Sequence, residues 1–218
     1  MSGVASVIAP TMVTPVALTG RFVRLEPLTR AHAPALCAAA SGSRDSYGLT
    51  WVPGSLAEAQ AYIDTALREQ GERRSLPFAT VDRLAERVVG STRFLNIEFW
   101  SWPDGNDHQR GAERPDVVEI GATWLAAEAQ RTRINTEAKL LTLAHAFEHW
   151  RVHRVSLMTD ARNERSRNAI VRLGARFDGV LRAARPASDG AIRDTAAFSI
   201  LDAEWPAVRT KLHARLTQ

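Results

Sequence analysis

The stretch from Val118 to Gly174 most constrains how this 218-residue chain can fold, because it reads as strand, polar basic turn, amphipathic helix, strand and second helix. Val117-Val118-Glu119-Ile120-Gly121-Ala122-Thr123-Trp124-Leu125 is β-branched and aromatic, the composition of a strand near a core. The turn Gln130-Arg131-Thr132-Arg133-Ile134-Asn135-Thr136-Glu137 follows. Beyond it Leu140, Leu143, Ala144, Phe147 and Trp150 recur at three- and four-residue spacing. That spacing predicts a helix with one apolar face and with Lys139, His145 and Glu148 lying off it. Asn135 is the expected N-cap. Two readings of the turn stay open. Uncapped first-turn amides beside Arg131 and Arg133 would suit a phosphate or pyrophosphate; a solvated basic loop leading into a core helix accounts for the same residues.

Other elements flank this unit. Residues 1–17 carry Ser, Gly, Thr and Pro without a period and are expected to be a flexible leader. A strand is expected over Gly20–Leu25, ended by Pro27, then a helix over Thr29–Ala40 with Thr29 as its cap. Gly42, Gly48, Pro53 and Gly54 make the next segment a loop. Its Tyr47 and Trp51 either line a substrate pocket or pack beneath the loop. Ser55-Leu56-Ala57-Glu58 is a capping box that starts a helix running to Gln70, where Gly71 closes it.

Leu76–Val81 and Val88–Ile97 then read as an antiparallel pair, and Glu98–Asp116, with Trp100 and Trp102, as a long turn-rich excursion. After Arg154–Thr159, a strand, Asn163 caps a helix carrying Ser166, Ala169, Ile170 and Leu173 on one face, stopped by Gly174. A closing strand pair (Ala175–Arg182 and Ile192–Leu201) and a last helix (Glu204–Leu216) complete the chain.

A chain of this size buries a real core and is expected to form one domain over residues 18–218. The net charge of +4 favours an acidic ligand, yet acids are interspersed with the many Arg residues. No specific nucleic-acid partner is expected. The single cysteine, Cys37, excludes an internal disulfide, fits a reducing compartment and reads as a small hydrophobe rather than a nucleophile. No basic n-region and no long apolar run occur, so no membrane association is expected and the location is read as cytoplasmic. His145 and His149 stand at i, i+4 without a third ligand in view, so no metal is expected. Walker and Gly-x-Gly-x-x-Gly loops are absent.

Four stretches together resemble the GCN5-related N-acetyltransferase (GNAT) superfamily, and most closely its RimJ/RimL-type, ribosomal-protein branch. They are Leu18–Leu28, Glu119-Ile120-Gly121, Gln130–Lys139, and Thr159–Ser166 through Leu173-Gly174-Ala175. The resemblance implies an α+β fold: a mixed, mostly antiparallel twisted sheet of about seven strands, flanked by helices, with a V-shaped split between two parallel strands. Acetyl-CoA would sit in that split, with Thr123, Trp124 and Leu125 toward the thioester and pantetheine. Gln130, Arg131, Thr132, Arg133, Ile134, Asn135 and Thr136 would hold the pyrophosphate, and Asn163 and Ser166 the pantetheine arm. The family pattern Gln/Arg-x-x-Gly-x-Gly/Ala is matched in part, since Arg133 and Asn135 replace its small residues. The reading favoured for Arg133 is a guanidinium that adds charge to the phosphate site.

Acetyl transfer to an amine needs a base for the amine, donors for the oxyanion and a proton for the thiolate. By resemblance Glu119 is the candidate base, through water; a salt-bridged strand residue is the competing account. The tyrosine that many members use as acid has no counterpart, Ile170 standing near its position. Ser166 is then the candidate acid, or else a first-turn serine supporting the cap. The implied acceptor is a primary amine, preferably a protein or peptide N-terminus, with Tyr47, Trp51, Trp100 and Trp102 as candidate acceptor contacts. A polyamine or aminoglycoside acetyltransferase, and an inactive acyl-CoA-binding regulator, are the alternatives; a homodimer stays open.

Overall fold

The computed structural model describes residues 12–217, so the expected leader lies outside the described residues up to residue 11. Eight strands form one sheet: β1 (Leu18–Thr19), β2 (Val23–Pro27), β3 (Leu76–Asp82), β4 (Arg87–Glu98), β5 (Val117–Leu125), β6 (Arg154–Asp160), β7 (Arg176–Pro186) and β8 (Ile192–Leu201). Their order is β1-β2-β3-β4-β5-β6-β8-β7. All neighbours are antiparallel except β5 and β6. The helices are α1 (Ala33–Ala40), α2 (Leu56–Gly71), α3 (Arg133–Ala144), α4 (Glu164–Leu173) and α5 (Trp205–Thr217). The expected α+β architecture is present, with the two-residue β1 added to the seven strands read from the sequence.

Cap chemistry explains most helix starts and corrects two of them. Ser55 Oγ accepts from Glu58 N at 3.2 Å, while the Glu58 carboxylate accepts from Gly54 N at 2.6 Å, so the expected capping box closes one residue early. The helix expected from Thr29 opens as a 3-10 turn over Arg30–His32, and α1 follows with Pro34 in its first turn. Proline there sacrifices no helical donor.

The N-cap of α3 is Thr132, not Asn135. Arg131 takes a left-handed φ of 61°, which reverses the chain, and Thr132 is left extended with its Oγ1 accepting from Ile134 N at 3.2 Å. Asn135 therefore sits inside the first turn. Nor do Lys139 and His145 lie off the buried face: Lys139 is 7% exposed and His145 half-buried. The helix is wedged between the sheet and α5, so its flanks are covered as well as its apolar stripe. A π-helical turn, His145–Trp150, continues α3 and ends at Arg151, also left-handed.

Trp150 is fully buried against Phe94, with ring centroids 4.6 Å apart. Its indole N–H donates to Met12 O at 3.2 Å, and Met12 N donates to Glu113 O at 2.9 Å. The described end of the leader is therefore stapled to the core and to the 98–116 excursion. No helix among the described residues is long and apolar enough to cross a membrane.

One buried carboxylate ties α3 to the turn between β1 and β2. Glu137, on α3, accepts three backbone N–H bonds, from Arg21 at 2.8 Å, Phe22 at 2.6 Å and Val23 at 2.8 Å. Gly20 is required beside it, since a Cβ there would stand 2.3 Å from the Glu137 carboxyl carbon. Glu137→Ala leaves three amides of the β1–β2 turn without an acceptor and is expected to cost about 3 kcal/mol. Urea unfolding of the variant against the wild type checks this, with Glu137→Gln falling between the two.

Candidate active site

β5 and β6 pair only through Val117–Arg154, Val118–Val155 and Glu119–Ser156. Past Glu119 the strands diverge, while β6 stays paired with β8 along its whole length. The β6-facing backbone of β5 from Ile120 to Leu125 thus lacks a strand partner. A bulge deepens the opening. Ala122 and Thr123 stand against Thr92 alone, and Ala122 takes a left-handed φ of 45°.

A cleft of ≈ 440 Å³ fills the mouth of this split. Thr123, Trp124 and Leu125 of β5 form one wall, and Gln130, Arg131, Thr132, Asn135 and Thr136 form the second, at the start of α3. Asn163, Ser166 and Ala169 from the start of α4 close the third. Asn163 caps α4 as expected, its Oδ1 accepting from Ser166 N at 3.0 Å. The Leu125 carbonyl, freed by the split, accepts from Gln130 Nε2 and from the Tyr47 hydroxyl, each at 2.9 Å.

Arg131, Arg165, Arg172 and Arg215 all line the cleft, and no Asp or Glu does. Such a lining, beside first-turn amides without intrahelical acceptors, suits a polyanion. These residues fit the phosphates of an acyl-CoA.

Two residues expected here are elsewhere. The Arg133 guanidinium lies over Phe22, 5.2 Å from the ring centroid, so it adds no side-chain charge to the cleft. Ile134 is buried beneath the first turn. Tyr47, expected at the acceptor, is instead a buried wall of the cleft, where burial raises its hydroxyl pKa.

Glu119 sits behind the cleft, 5% exposed, in a pocket of ≈ 280 Å³ that also holds Trp51, Tyr62, Met158, Arg185 and Arg193. Thr50, Thr123 and Trp124 line both this pocket and the cleft, so the two cavities meet at the bulge. Burial raises the Glu119 pKa above the usual carboxylate range, opposed by an Asn96 Nδ2 bond of 2.8 Å and by Arg185, Arg193 and Lys139. Asn96 reaches it from a β4 bulge with a left-handed φ of 46°. Gly121 is needed next door, because a Cβ would lie 2.8 Å from Glu119 Oε1.

Trp51 stacks on Tyr62 at the rim, with centroids 5.7 Å apart. Trp100 shares a further cavity with Glu119 and Asn96. Trp102 lines none of these: its Nε1 donates to Asp116 Oδ1 at 2.7 Å, which anchors the excursion.

Sequence reading missed Lys139, Asn96 and the arginines of α4, α5 and the β7–β8 hairpin. Lys139 and Arg165 fell inside quoted stretches without being singled out for the site, and the Arg165 Nη2 donates to Ser46 O at 2.9 Å across the cleft mouth.

The chain matches the acetyltransferase (GNAT) domain family over residues 23–176. Among solved structures it is similar to a GCN5-related N-acetyltransferase from Brucella melitensis at 30% identity, covering 93% of this chain and 86% of that one, with a TM-score of 0.78. RimJ from Mycobacterium smegmatis, in complex with CoA-disulfide, is 22% identical over 93% of this chain and 96% of that one, with a TM-score of 0.74. The ribosomal-protein-S5-alanine acetyltransferase of Vibrio fischeri is 17% identical over 87% and 98%, with a TM-score of 0.64. The last two are likenesses of fold. No curated protein matches significantly. The chain belongs to the GCN5-related N-acetyltransferase family and is an acetyltransferase of that fold.

Lys139 supplies a test of the site's electrostatics. Its Nζ donates to Thr123 Oγ1 at 2.9 Å, and burial lowers its pKa to about 8, with Glu119 pulling the other way. Between about 8 and the unfolded value of 10.5 the unfolded chain binds the extra proton, so stability attributable to Lys139 rises with pH. The rise is about 3 kcal/mol. Denaturant unfolding of Lys139→Met at pH 7.5 and 10.5 is expected to lack that increment relative to wild type.

Proposed function

We propose that the chain transfers the acetyl group of acetyl-CoA to a primary amine, and that the acceptor is a protein or peptide N-terminus. One observation carries the reading: an acid-free, arginine-lined cleft at two helix N-termini opens, at the β5 bulge, onto a pocket holding a buried carboxylate. The fold likeness to RimJ and to a ribosomal-protein acetyltransferase supports the acceptor class. A cytoplasmic location is part of the same reading.

Acetyl-CoA supplies the acetyl group as a thioester. In the transfer the amine nitrogen bonds to the carbonyl carbon as the carbon–sulfur bond breaks, so one proton leaves the amine and one reaches the thiolate. Glu119 accepts the first, directly or through a water. Its raised pKa makes it a stronger base than a surface carboxylate. Ser166, on the donor side, is the candidate to deliver the second proton and regains it from solvent. β5 amides left unpaired by the split are the available donors for charge on the carbonyl oxygen.

Glu119→Gln is expected to lower kcat about 100-fold while leaving acetyl-CoA affinity within about twofold. The acid limb of the wild-type pH–kcat profile is expected above the ordinary carboxylate range, the sign of a base that holds its proton longer as pH rises. A limb at ordinary carboxylate pH, or full activity of the variant, would remove Glu119 from the role.

Calorimetry with acetyl-CoA separates the donor residues. Asn163→Ala and Arg165→Ala are each expected to weaken binding about tenfold. Arg133→Ala, whose guanidinium faces Phe22, is expected to leave it unchanged. Absence of binding to the wild type would sink the donor assignment.

A further inference from the structure

Arg185 and Arg193 are register partners across the β7–β8 hairpin. Like charges directly opposite on a sheet are unfavourable, so the placement calls for a compensating group. A bulge creates it. Leu181 pairs with Thr195, and two-residue steps from there would put Ala183 opposite Arg193. Instead the register shifts, Ala183 takes a left-handed φ of 49°, and its N–H is held by Asp194 Oδ1 at 2.8 Å. Arg185 is thereby brought level with Arg193, and both line the pocket that contains Glu119.

Among the described residues no carboxylate forms an ion pair with either arginine, although Asp160 lines the same pocket and acts on Arg193 at longer range. Asp160 and Asp189, the acids beside the hairpin, are both engaged by Arg162, at 2.7 and 2.8 Å. Glu119 faces them only at longer range and is bonded to Asn96. Among the described residues neither Arg185 nor Arg193 enters an ion pair, and Arg193 Nε is buried without an acceptor. A guanidinium fork with a free buried N–H is built for a planar oxyanion. A polyamine or aminoglycoside would bring further positive charge against both arginines, which speaks against a polycationic acceptor.

We propose that Arg185 and Arg193 form an anion subsite in the acceptor pocket, where they recognise a carboxylate carried by the acceptor close to its reactive amine. The proposal rests on the acetyl-transfer reading of that pocket. For a peptide N-terminus the carboxylate is the side chain of an acidic residue following the first; for a free amino acid it is the α-carboxylate.

Calorimetry on the CoA-saturated protein tests this without requiring turnover. The probes are peptides identical except for Asp, Asn or Lys at the second position, together with free alanine and alaninamide. The Asp peptide is expected to bind about tenfold tighter than the Asn peptide, with the Lys peptide weakest. In Arg185→Gln/Arg193→Gln, and in the exposed single variant Arg185→Gln, the Asp-to-Asn ratio falls toward one. Retained acetyl-CoA affinity shows that these variants are folded.

Equal binding of Asp and Asn peptides by the wild type, with alanine no better than alaninamide, would overturn the subsite, as would a preference unchanged in the double variant. Preference for alanine over alaninamide alone, lost in the double variant, supports the subsite and assigns the carboxylate to a free amino acid. An acidic preference without CoA release from any amine supports the subsite and instead overturns the transfer reading.

Discussion

The parting of β5 from β6 after Glu119 is the constraint on which the rest of the site depends. Buried backbone donors and acceptors must be paired or presented to a ligand, and a sheet that opens in its middle leaves a row of both. The protein meets part of that cost locally. Gln130 and Tyr47 bond the Leu125 carbonyl, and Ala126 N returns to Val89 O at 2.7 Å. The β5 bulge turns the strand where the split begins. What stays unpaired faces the cleft, and so one feature of strand pairing produces both the cavity and its polar lining.

Charge is sorted around that opening. The cleft carries arginines and no acid, while Glu119 lies behind the bulge, nearly dry, with one amide bond from Asn96. Lys139 sits under the same bulge, tied to Thr123, which also bonds Thr92 at 2.7 Å. A buried lysine and a buried glutamate that feel one another each move the other's proton affinity toward the charged pair, and burial moves both the opposite way. Burial is the larger effect on each, which is why Glu119 holds its proton to higher pH and Lys139 gives its own up sooner. The pocket behind the bulge is thus electrostatically tuned, with Arg185 and Arg193 of the β7–β8 hairpin also lining it.

Much of this was legible in the residues. Alternating and β-branched runs located the strands to within a few residues, and Ser55, Asn163 and Gly174 marked helix ends because each acts on amides or dihedrals within one turn of itself. Within the basic turn, Thr132, Asn135 and Thr136 line the cleft. Misreadings have a shared cause. Asn135 and Thr132 are both good caps, and the choice was made by the left-handed Arg131, a dihedral that no propensity for arginine would suggest. Lys139 looked solvent-facing by helical period, but its side chain lies against the β5 bulge, where its Nζ bonds Thr123 Oγ1. Arg133 looked like a phosphate ligand, yet Phe22, distant in sequence, offers its ring to the guanidinium.

The sequence by itself determined the order of elements, the helix caps at α2 and α4, and the family motifs, because these depend on side chains interacting with their own neighbourhood in the chain. Tertiary structure alone decided which arginines meet at the cleft, how deeply Glu119 is buried, that Asn96 reaches it, and that Arg185 stands opposite Arg193. Those outcomes depend on bulges, register shifts and the packing of α3 against α5. Each is a balance of long-range contacts and backbone pairing that no local pattern of residues encodes.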